Sequence, residues 1–413
     1  MRKTIWLFLL LLVPYVLSAQ ATFFKSMHNG RLTSISPAAN GGLVGGGTYI
    51  YNSSVQDIFR GILVKSDAQG SVEWAKYFPS IQRIRSSKAV ADGYLITGDT
   101  SDLFWPMKYL YFAKLDTLGE VIWAQKFTTE RQDYVPGQVF ELPDGGYILY
   151  GGVVESFFAN GVAMCRTDAN GNVIWSKVYK SSHPTFHGDY LVQAIQGDTL
   201  YATGQVQGNG IFVRINVQSG EMLGVSSFGG IYREGFRSLI PTPDGNFMLG
   251  GMTRSTTGSE EERPWIVKVN RVGQIIWSRT YNIPGWNQGC EITGTDDGGA
   301  ILSTANIEGG ASSQSIFAKI DSAGNFLWAN NYTSGLASGL ESLIATSDNG
   351  YVAIDRTGKL LKINGEGRTH NGCCPVPIIY EVTDFNPPYQ SLTLSATDWR
   401  SAEPVTLQNH TDT

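Results

Sequence analysis

The chain has 413 residues, which is long for a single domain unless that domain is a repeat array. It carries 31 basic and 36 acidic residues, a net charge of −5 without a basic run, which argues against nucleic acid and anionic membranes as partners. The 48 glycines and frequent aromatic residues, without long helical apolar periods, favour many short strands joined by tight turns.

The N-terminal segment predicts the compartment. Arg2 and Lys3 precede an apolar run at 5–17, and Ser18 and Ala19 supply the small residues of a cleavage site. This order is typical of a secretory signal peptide, here residues 1–19, and the run is too short to span a bilayer comfortably. We therefore expect export with no membrane insertion after cleavage, to the cell surface or the extracellular space, with the periplasm as the alternative.

A phrase that ends in tryptophan recurs along the chain. Asp or Asn begins it, Gly stands three residues later, and copies occupy 67–74, 116–123, 168–175, 270–277 and 321–328. The interval between tryptophans is near 50 residues, and a degenerate copy at 216–223 fills the one double interval. A period of this length with several strands per unit is typical of a β-propeller.

A second repeated mark, Asp-Gly or Asn-Gly, lies about 25 to 30 residues before each tryptophan and ends at Gly93, Gly145, Gly245, Gly298 and Gly350. Such pairs supply the positive φ angles that tight hairpins need. One unit is therefore predicted as strand a, a tight turn, strand b, a variable loop, strand c, the Asp-x-x-Gly turn, and strand d with its tryptophan.

The units predict an all-β, seven-bladed β-propeller of four-stranded blades over residues 20–370. The repeats are 30–78, 79–127, 128–179, 180–228, 229–281, 282–332 and 333–365. The seventh lacks strand d, and residues 22–27 match the pattern of 174–179, so we expect the N-terminal strand to complete the last blade and remove two exposed edges. Residues 371–413 form a tail rich in Pro, Thr and Ser, interpreted as a linker or the start of a further β domain.

A basic residue stands two positions before the Asp or Asn of every c–d turn. The seven are Lys65, Lys114, Arg166, Arg214, Lys268, Lys319 and Lys362. A residue that occurs in every blade serves the blade, so we expect these cations to pair with that Asp or to cover an indole.

The phrase Asp-x-x-Gly-x-Val-Ile-Trp-x-Lys resembles the tryptophan-docking repeats of quinoprotein-like propellers. Together with Asp-Gly-Gly-Tyr at 144–147, it is most similar to the propeller regions of large secreted surface proteins of gliding bacteria that use type IX secretion. The resemblance covers 22–365 and implies the architecture. Quinone-cofactor dehydrogenases of this group carry a vicinal disulfide over the cofactor, but Cys373 and Cys374 lie beyond the last blade, so we expect no cofactor.

Function is expected where the units differ. The b–c loops and d–a connections vary and emerge on the same face of the disc, here called the loop face. Aromatic, basic and histidine side chains gather there and predict a ligand-binding surface: Phe104, Trp105, Phe158, His183, His187, Tyr232, Arg233 and Trp286. We expect a non-enzymatic interaction scaffold for a glycan or a surface protein, which could belong to a larger surface assembly.

The chemical alternatives rest on thinner signals. His183 and His187 lie in a Pro-containing loop without a common helical face, so no metal site and no catalytic residue is predicted. A quinoprotein-like oxidoreductase or a propeller glycoside hydrolase is the alternative function, because propeller glycosidases assemble carboxylates from different blades and leave no local motif. The pairing of Cys165, Cys290, Cys373 and Cys374 stays open.

Overall fold

A computed structural model describes most of the propeller and short pieces of the tail. The described residues are 23–25, 30–38, 41–52, 57–100, 109–128, 133–154, 159–180, 186–187, 193–206, 208–230, 232–255, 262–283, 286–287, 290–308, 312–332, 340–355, 357–369, 376–377, 381–384, 389–392, 395–398 and 402–404. No helix among them is long and apolar enough to cross a lipid bilayer.

The first four sheets follow one another along the chain after an isolated first strand, β1 (Phe23–Lys25). Blade 1 contains β2 (Gly30–Pro37), β3 (Leu43–Asn52), β4 (Asp57–Ser66) and β5 (Val72–Phe78). Blade 2 contains β6 (Arg83–Val90), β7 (Gly93–Thr100), β8 (Tyr109–Leu115) and β9 (Val121–Thr128). Blade 3 contains β10 (Asp133–Glu141), β11 (Tyr147–Val154), β12 (Ala159–Thr167) and β13 (Val173–Lys180). Blade 4 contains β14 (Phe186–His187), β15 (Gln193–Gln196), β16 (Thr199–Val206), β17 (Asn209–Asn216) and β18 (Met222–Phe228).

Three further sheets complete the ring. Blade 5 contains β19 (Glu234–Pro241), β20 (Phe247–Thr253), β21 (Arg263–Val269) and β22 (Ile275–Asn282). Blade 6 contains β23 (Trp286–Asn287), β24 (Glu291–Gly294), β25 (Ala300–Glu308), β26 (Ser312–Ile320) and β27 (Phe326–Tyr332). Blade 7 contains β28 (Leu340–Ala345), β29 (Tyr351–Asp355) and β30 (Leu360–Ile363). The short pairs β14 and β15, and β23 and β24, share the inner position of blades 4 and 6.

The N-terminal strand closes the ring, as predicted. β1 pairs antiparallel with β30, with Phe23 opposite Lys362 and Lys25 opposite Leu360. It therefore supplies the outer strand of blade 7, and the two ends of the propeller are held in one sheet. The prediction of seven four-stranded blades with this closure is confirmed.

The repeated tryptophans join five of the seven pairs of neighbouring blades in the described structure. Each indole packs against the glycine of the following blade's c–d turn so closely that a Cβ added at that glycine would lie 2.7 to 3.1 Å from the ring. The pairs are Trp74 with Gly119, Trp123 with Gly171, Trp175 with Gly220, Trp277 with Gly324, and Trp328 with Gly367. A tyrosine later in the outer strand adds a hydrogen bond: the Tyr179 hydroxyl donates to the Gly220 carbonyl at 2.7 Å and Tyr281 to that of Gly324 at 3.0 Å.

Two interfaces lack this contact among the described residues, the one between blades 7 and 1 and the one between blades 4 and 5. The second of these is packed differently. Gly224 stands opposite Arg214, where Trp277 stands opposite Lys268 in blade 5. The Arg214 guanidinium fills the space, because a Cβ on Gly224 would meet its Nη2 atom at 2.5 Å. Blade packing here relies on the rings of Tyr201, Phe212 and Phe247, whose centroids lie 4.3 to 5.7 Å apart.

The repeated cations pair with a different carboxylate from the one predicted. In five blades the partner is the Asp of the a–b turn of the same blade, and not the Asp of the c–d turn: Lys114 with Asp92, Arg166 with Asp144, Lys268 with Asp244, Lys319 with Asp297, and Lys362 with Asp348. The carboxylate of the c–d turn Asp instead accepts hydrogen bonds from backbone amides of its own turn. Asp116 Oδ1, for example, accepts from the amides of Leu118 and Glu120, both at 2.8 Å. The ion pairs therefore tie the two turns of a blade together across strands b and c.

The tail adds a fifth strand to five consecutive blades. Its strands are β31 (Val376–Pro377), β32 (Glu381–Asp384), β33 (Tyr389–Leu392), β34 (Ser395–Asp398) and β35 (Ala402–Pro404). They pair antiparallel with the outer strands β27, β22, β18, β13 and β9, so the tail passes from blade 6 back to blade 2 around the rim. This pairing satisfies edge N–H and C=O groups that an open outer strand would leave exposed.

Removal of one docking indole is expected to loosen the ring. Trp277→Ala removes the contact with Gly324 and should lower the free energy of unfolding by about 3 kcal/mol, because a cavity replaces a packed ring. Ile276→Ala is the matched control, since Ile276 is 49% exposed and should change stability by less than about 0.5 kcal/mol. Urea unfolding of both variants measures the difference, and equal losses would contradict the docking role.

Removal of the tail is expected to uncover strand edges. A chain of residues 20–370 lacks β31–β35, so we expect a lower urea midpoint and concentration-dependent self-association in light scattering, relative to residues 20–413. A chain of residues 20–404 is the control, because it keeps all five pairings. A 20–370 chain that stays monomeric with the midpoint of 20–404, both in reducing buffer, would show that the tail does not protect the rim.

Candidate functional site

The predicted binding residues fall into two groups. Phe104, Trp105, Phe158 and His183 lie outside the described residues. His187 pairs in register with Gln205, and Trp286 with Ile307, at the ends of strands b that reach the loop face. The backbone thus places both of these at the expected face, while their role in binding stays a prediction.

The segment that carries Tyr232 and Arg233 is anchored by a buried carboxylate. Both side chains are exposed, Tyr232 to 41%, whereas the adjacent Glu234 is fully buried. Glu234 Oε2 accepts from the Gly230 amide at 3.1 Å, and its Oε1 accepts from the hydroxyls of Thr253 and Ser255. The strand entry is therefore held rigidly, which presents the neighbouring tyrosine and arginine to solvent at the loop face.

The inner strands enclose an axial cavity of about 720 Å³. Neighbouring inner strands contact one another around the ring, β2 with β6, β6 with β10, β19 with β24, and β28 with β2. Six blades contribute to the described lining, through β2, β6, β10, β19, β24 and β28. Thr48, Ile50 and Phe59 extend the lining along the parts of β3 and β4 nearest the b–c loop, so the cavity reaches the loop face.

A β-bulge shapes the lining of most inner strands. The register shifts at a matching point in five of them, between Leu32 and Ser34, Ile84 and Ser86, Pro136 and Val139, Phe236 and Ser238, and Leu340 and Ser342. A bulge inserts an extra residue and redirects its side chain. In blade 2 that extra residue is Arg85, which therefore lines the cavity.

The charged residues among the described lining are all basic: Arg31, Arg83, Arg85 and Lys88. Arg31 and Arg83 occupy equivalent positions on neighbouring strands, each two residues before the bulge residue. Arg85 Nε donates to Oδ2 of the buried Asp99 at 2.5 Å, which fixes its guanidinium. Near the other end of the cavity, Lys88 Nζ lies 4.4 Å from the centre of the Phe140 ring. Burial lowers the pKa of Lys88, and the negative charge of Glu141 offsets part of this effect.

Hydroxyl groups hold the two arginine-bearing strands together. Ser34 Oγ and Ser87 Oγ lie 3.0 Å apart, the Thr33 hydroxyl donates to the Ile84 carbonyl at 2.7 Å, and the Ala89 amide donates to Ser36 Oγ at 3.0 Å. These bonds cross from blade 1 to blade 2. They fix the relative position of the strands that present Arg31 and Arg83.

The described lining offers guanidinium and hydroxyl groups, which can hold anions and polar ligands. No Asp or Glu side chain is among the lining residues that the structure describes. Within the described residues, no group of three His, Cys, Asp or Glu side chains could hold a metal ion.

Sequence reasoning did not identify the residues that line the axial cavity. The residues that line it lie one or a few per blade, about 50 positions apart, and each is locally ordinary. A signal was present, since alignment of the units on their a–b turns puts Arg31 and Arg83 in one column. The bulge that turns Arg85 inward has no signature in the sequence.

No protein-family model and no curated protein sequence matches this chain. Its fold is similar to that of solved propellers. The Dos1 propeller aligns with a TM-score of 0.54 at 10% identity, over 84% of this chain and 95% of that one. A subtype N11 neuraminidase-like protein of a flat-faced bat isolate aligns at 0.42 and 11%, over 76% and 87%, and a subtype N10 neuraminidase-like protein of a little yellow-shouldered bat isolate at 0.41 and 8%, over 87% and 98%. At 10% identity, the likeness to the Dos1 propeller shows the propeller fold and nothing about activity.

The two described cysteines are buried in different blades. Cys165 lies on β12 in the packing between blades 2 and 3, and Cys290 precedes β24 in the packing between blades 5 and 6. Both are free thiols, and burial raises the pKa of each to about 12. Thiols with such pKa values are poor nucleophiles, so we assign them to packing.

We expect these two thiols to be unreactive toward thiol reagents in the folded protein. In a Cys373→Ser, Cys374→Ser variant, we expect a thiol reagent at pH 8 to label neither Cys165 nor Cys290 until denaturant is added, and then to label both. Mass spectrometry of the labelled protein gives the count. Rapid labelling of either residue in the native state would contradict its burial.

Proposed function

We propose that this chain is an exported, non-enzymatic propeller that binds a glycan or a protein at the cell surface. The ligand enters from the loop face and reaches into the axial cavity. The proposal includes cleavage of the signal peptide at residues 1–19. It also includes kinship with tryptophan-docking repeats, which the repeated indole–glycine contacts support.

The distribution of regular and irregular segments supports a binding face. The c–d turns repeat the same hydrogen bonds from blade to blade, with an Asp or Asn side chain accepting from a backbone amide two residues later. The Asp side chains of the a–b turns do the same in four blades. On the opposite face, Tyr232 and Arg233 stand exposed on an anchored segment. Variable residues on a rigid scaffold are the usual arrangement of a recognition surface.

The axial cavity is the observation that carries the proposal. Its volume of about 720 Å³ lies in the range of small-ligand sites, about 300–1,000 Å³. It reaches the same face as the variable segments. Hydrogen bonds between blades 1 and 2 fix the hydroxyl groups of Thr33, Ser34 and Ser36, so this part of the site is formed before a ligand arrives. A preformed site lowers the entropy cost of binding.

A glycan array and immobilised surface extract test the proposal with the chain of residues 20–413. We expect saturable binding that weakens about tenfold or more in Tyr232→Ala, Arg233→Ala, because removal of exposed anchors on the entry face costs contact energy. A second pair, Trp105→Ala with Trp286→Ala, probes the predicted aromatic residues of the same face.

The matched control changes exposed residues on the opposite face. Leu118 and Val272 lie in c–d turns and are 66% and 48% exposed, so Leu118→Ala, Val272→Ala should leave binding unchanged. A ligand that is lost equally in this control, or retained in both loop-face pairs, would place the interaction elsewhere and defeat the proposal.

A further inference from the structure

The axial cavity concentrates positive charge in a protein of opposite sign. The chain as a whole carries 36 acidic and 31 basic residues, yet the charged residues of the described lining are three arginines and one lysine. An enclosed site lined by one sign of charge focuses the field and raises the local concentration of counter-ions. The charged side chains of the described lining therefore favour an anionic ligand, although the protein as a whole is mildly acidic.

Three guanidinium groups share one side of the cavity. Arg31 and Arg83 lie at equivalent positions on β2 and β6, and Arg85 follows on the bulge of β6. Arg83 and Arg85 are half-buried, whereas Arg31 is exposed. The bond to Asp99 uses one of the five donors of the Arg85 guanidinium and fixes its plane. The planar fork of arginine suits an oxyanion such as carboxylate better than a point charge does.

The remaining lining suits a sugar ring. Hydroxyl and amide groups of Thr48, Ser86 and Gln138 can bond to sugar hydroxyls, and the ring of Phe59 offers an apolar face. The volume of about 720 Å³ accommodates one or two sugar rings. A ligand that needs both features carries an oxyanion on a polyhydroxylated ring.

We propose that the axial cavity binds acidic carbohydrate, with the oxyanion of the sugar held by Arg31, Arg83 and Arg85. This rests on the proposed function and names its ligand class. The oxyanion could be the carboxylate of a uronic acid or a sulfate ester, and both present the same chemistry to the guanidinium groups.

The test compares matched disaccharides in isothermal titration calorimetry with the chain of residues 20–413. Digalacturonate, a sulfated digalactose and neutral digalactose are titrated separately. We expect at least one of the two anionic sugars to bind, neutral digalactose to bind about tenfold or more weakly, and affinity to fall as salt is raised. The carboxylate and sulfate arms identify which oxyanion the site takes.

A charge-matched pair of variants assigns the site. Arg31→Gln, Arg83→Gln should weaken binding of the anionic sugar about tenfold or more, because two of the three guanidinium groups are lost. Arg271→Gln, Arg368→Gln removes the same charge from c–d turns on the opposite face and should leave binding unchanged. Thermal unfolding checks that both pairs fold, and the comparison of charged with neutral sugar needs no variant at all.

The outcomes separate the two proposals. Equal affinity for neutral and anionic sugars, or an Arg31→Gln, Arg83→Gln chain that keeps full affinity, overturns the acidic-sugar inference while glycan binding at the loop face stands. Tighter binding of a short single-stranded DNA than of either anionic sugar also overturns it, because the site would then prefer the phosphate groups of a nucleic acid backbone to an acidic sugar. Loss of all array and extract binding overturns the proposed function as well.

Discussion

The contact between a tryptophan of one blade and a turn glycine of the next is the interaction on which the ring depends. It fixes the outer strands of five blades at the rim, where radial sheets diverge and leave the widest gap. An indole buries about 150–250 Å², and only a glycine leaves room for it to approach the turn backbone. Where Gly224 replaces the indole, Arg214 and a cluster of aromatic rings take over, so the demand for filled space persists when the motif does not.

Packing at the rim and closure at the ends determine the centre. Once every blade is fixed to its neighbours and β1 completes blade 7, the inner strands have one arrangement around the axis. Hydroxyl bonds between β2 and β6 then fix the strands that carry the arginines. The candidate site belongs to no single blade. It is a property of the closed ring, which is why its residues lie far apart in sequence.

The repeats could be predicted because seven copies of one unit can be aligned with one another within the chain. Each tryptophan and each Asp-x-x-Gly turn recurs, and the missing last strand pointed to residues 22–27. The partners of the repeated cations could not be deduced, because Lys319 stands two positions before Asp321 in the sequence, and only the pairing of strands b and c brings it to the more distant Asp297. The strands of the tail could not be predicted, for another reason. Pieces such as β31 and β35 have two or three residues and no pattern of their own, so their conformation depends on the edges they cover.

A crystal structure of residues 20–413 soaked with the tightest-binding sugar of the titration series tests the central claim most directly. The account predicts electron density for the sugar inside the axial cavity, with its oxyanion in hydrogen-bond contact with the Arg31 or Arg83 guanidinium and its chain leading to the loop face. Density confined to the rim or to the face of the c–d turns, with the cavity holding only solvent, would contradict it.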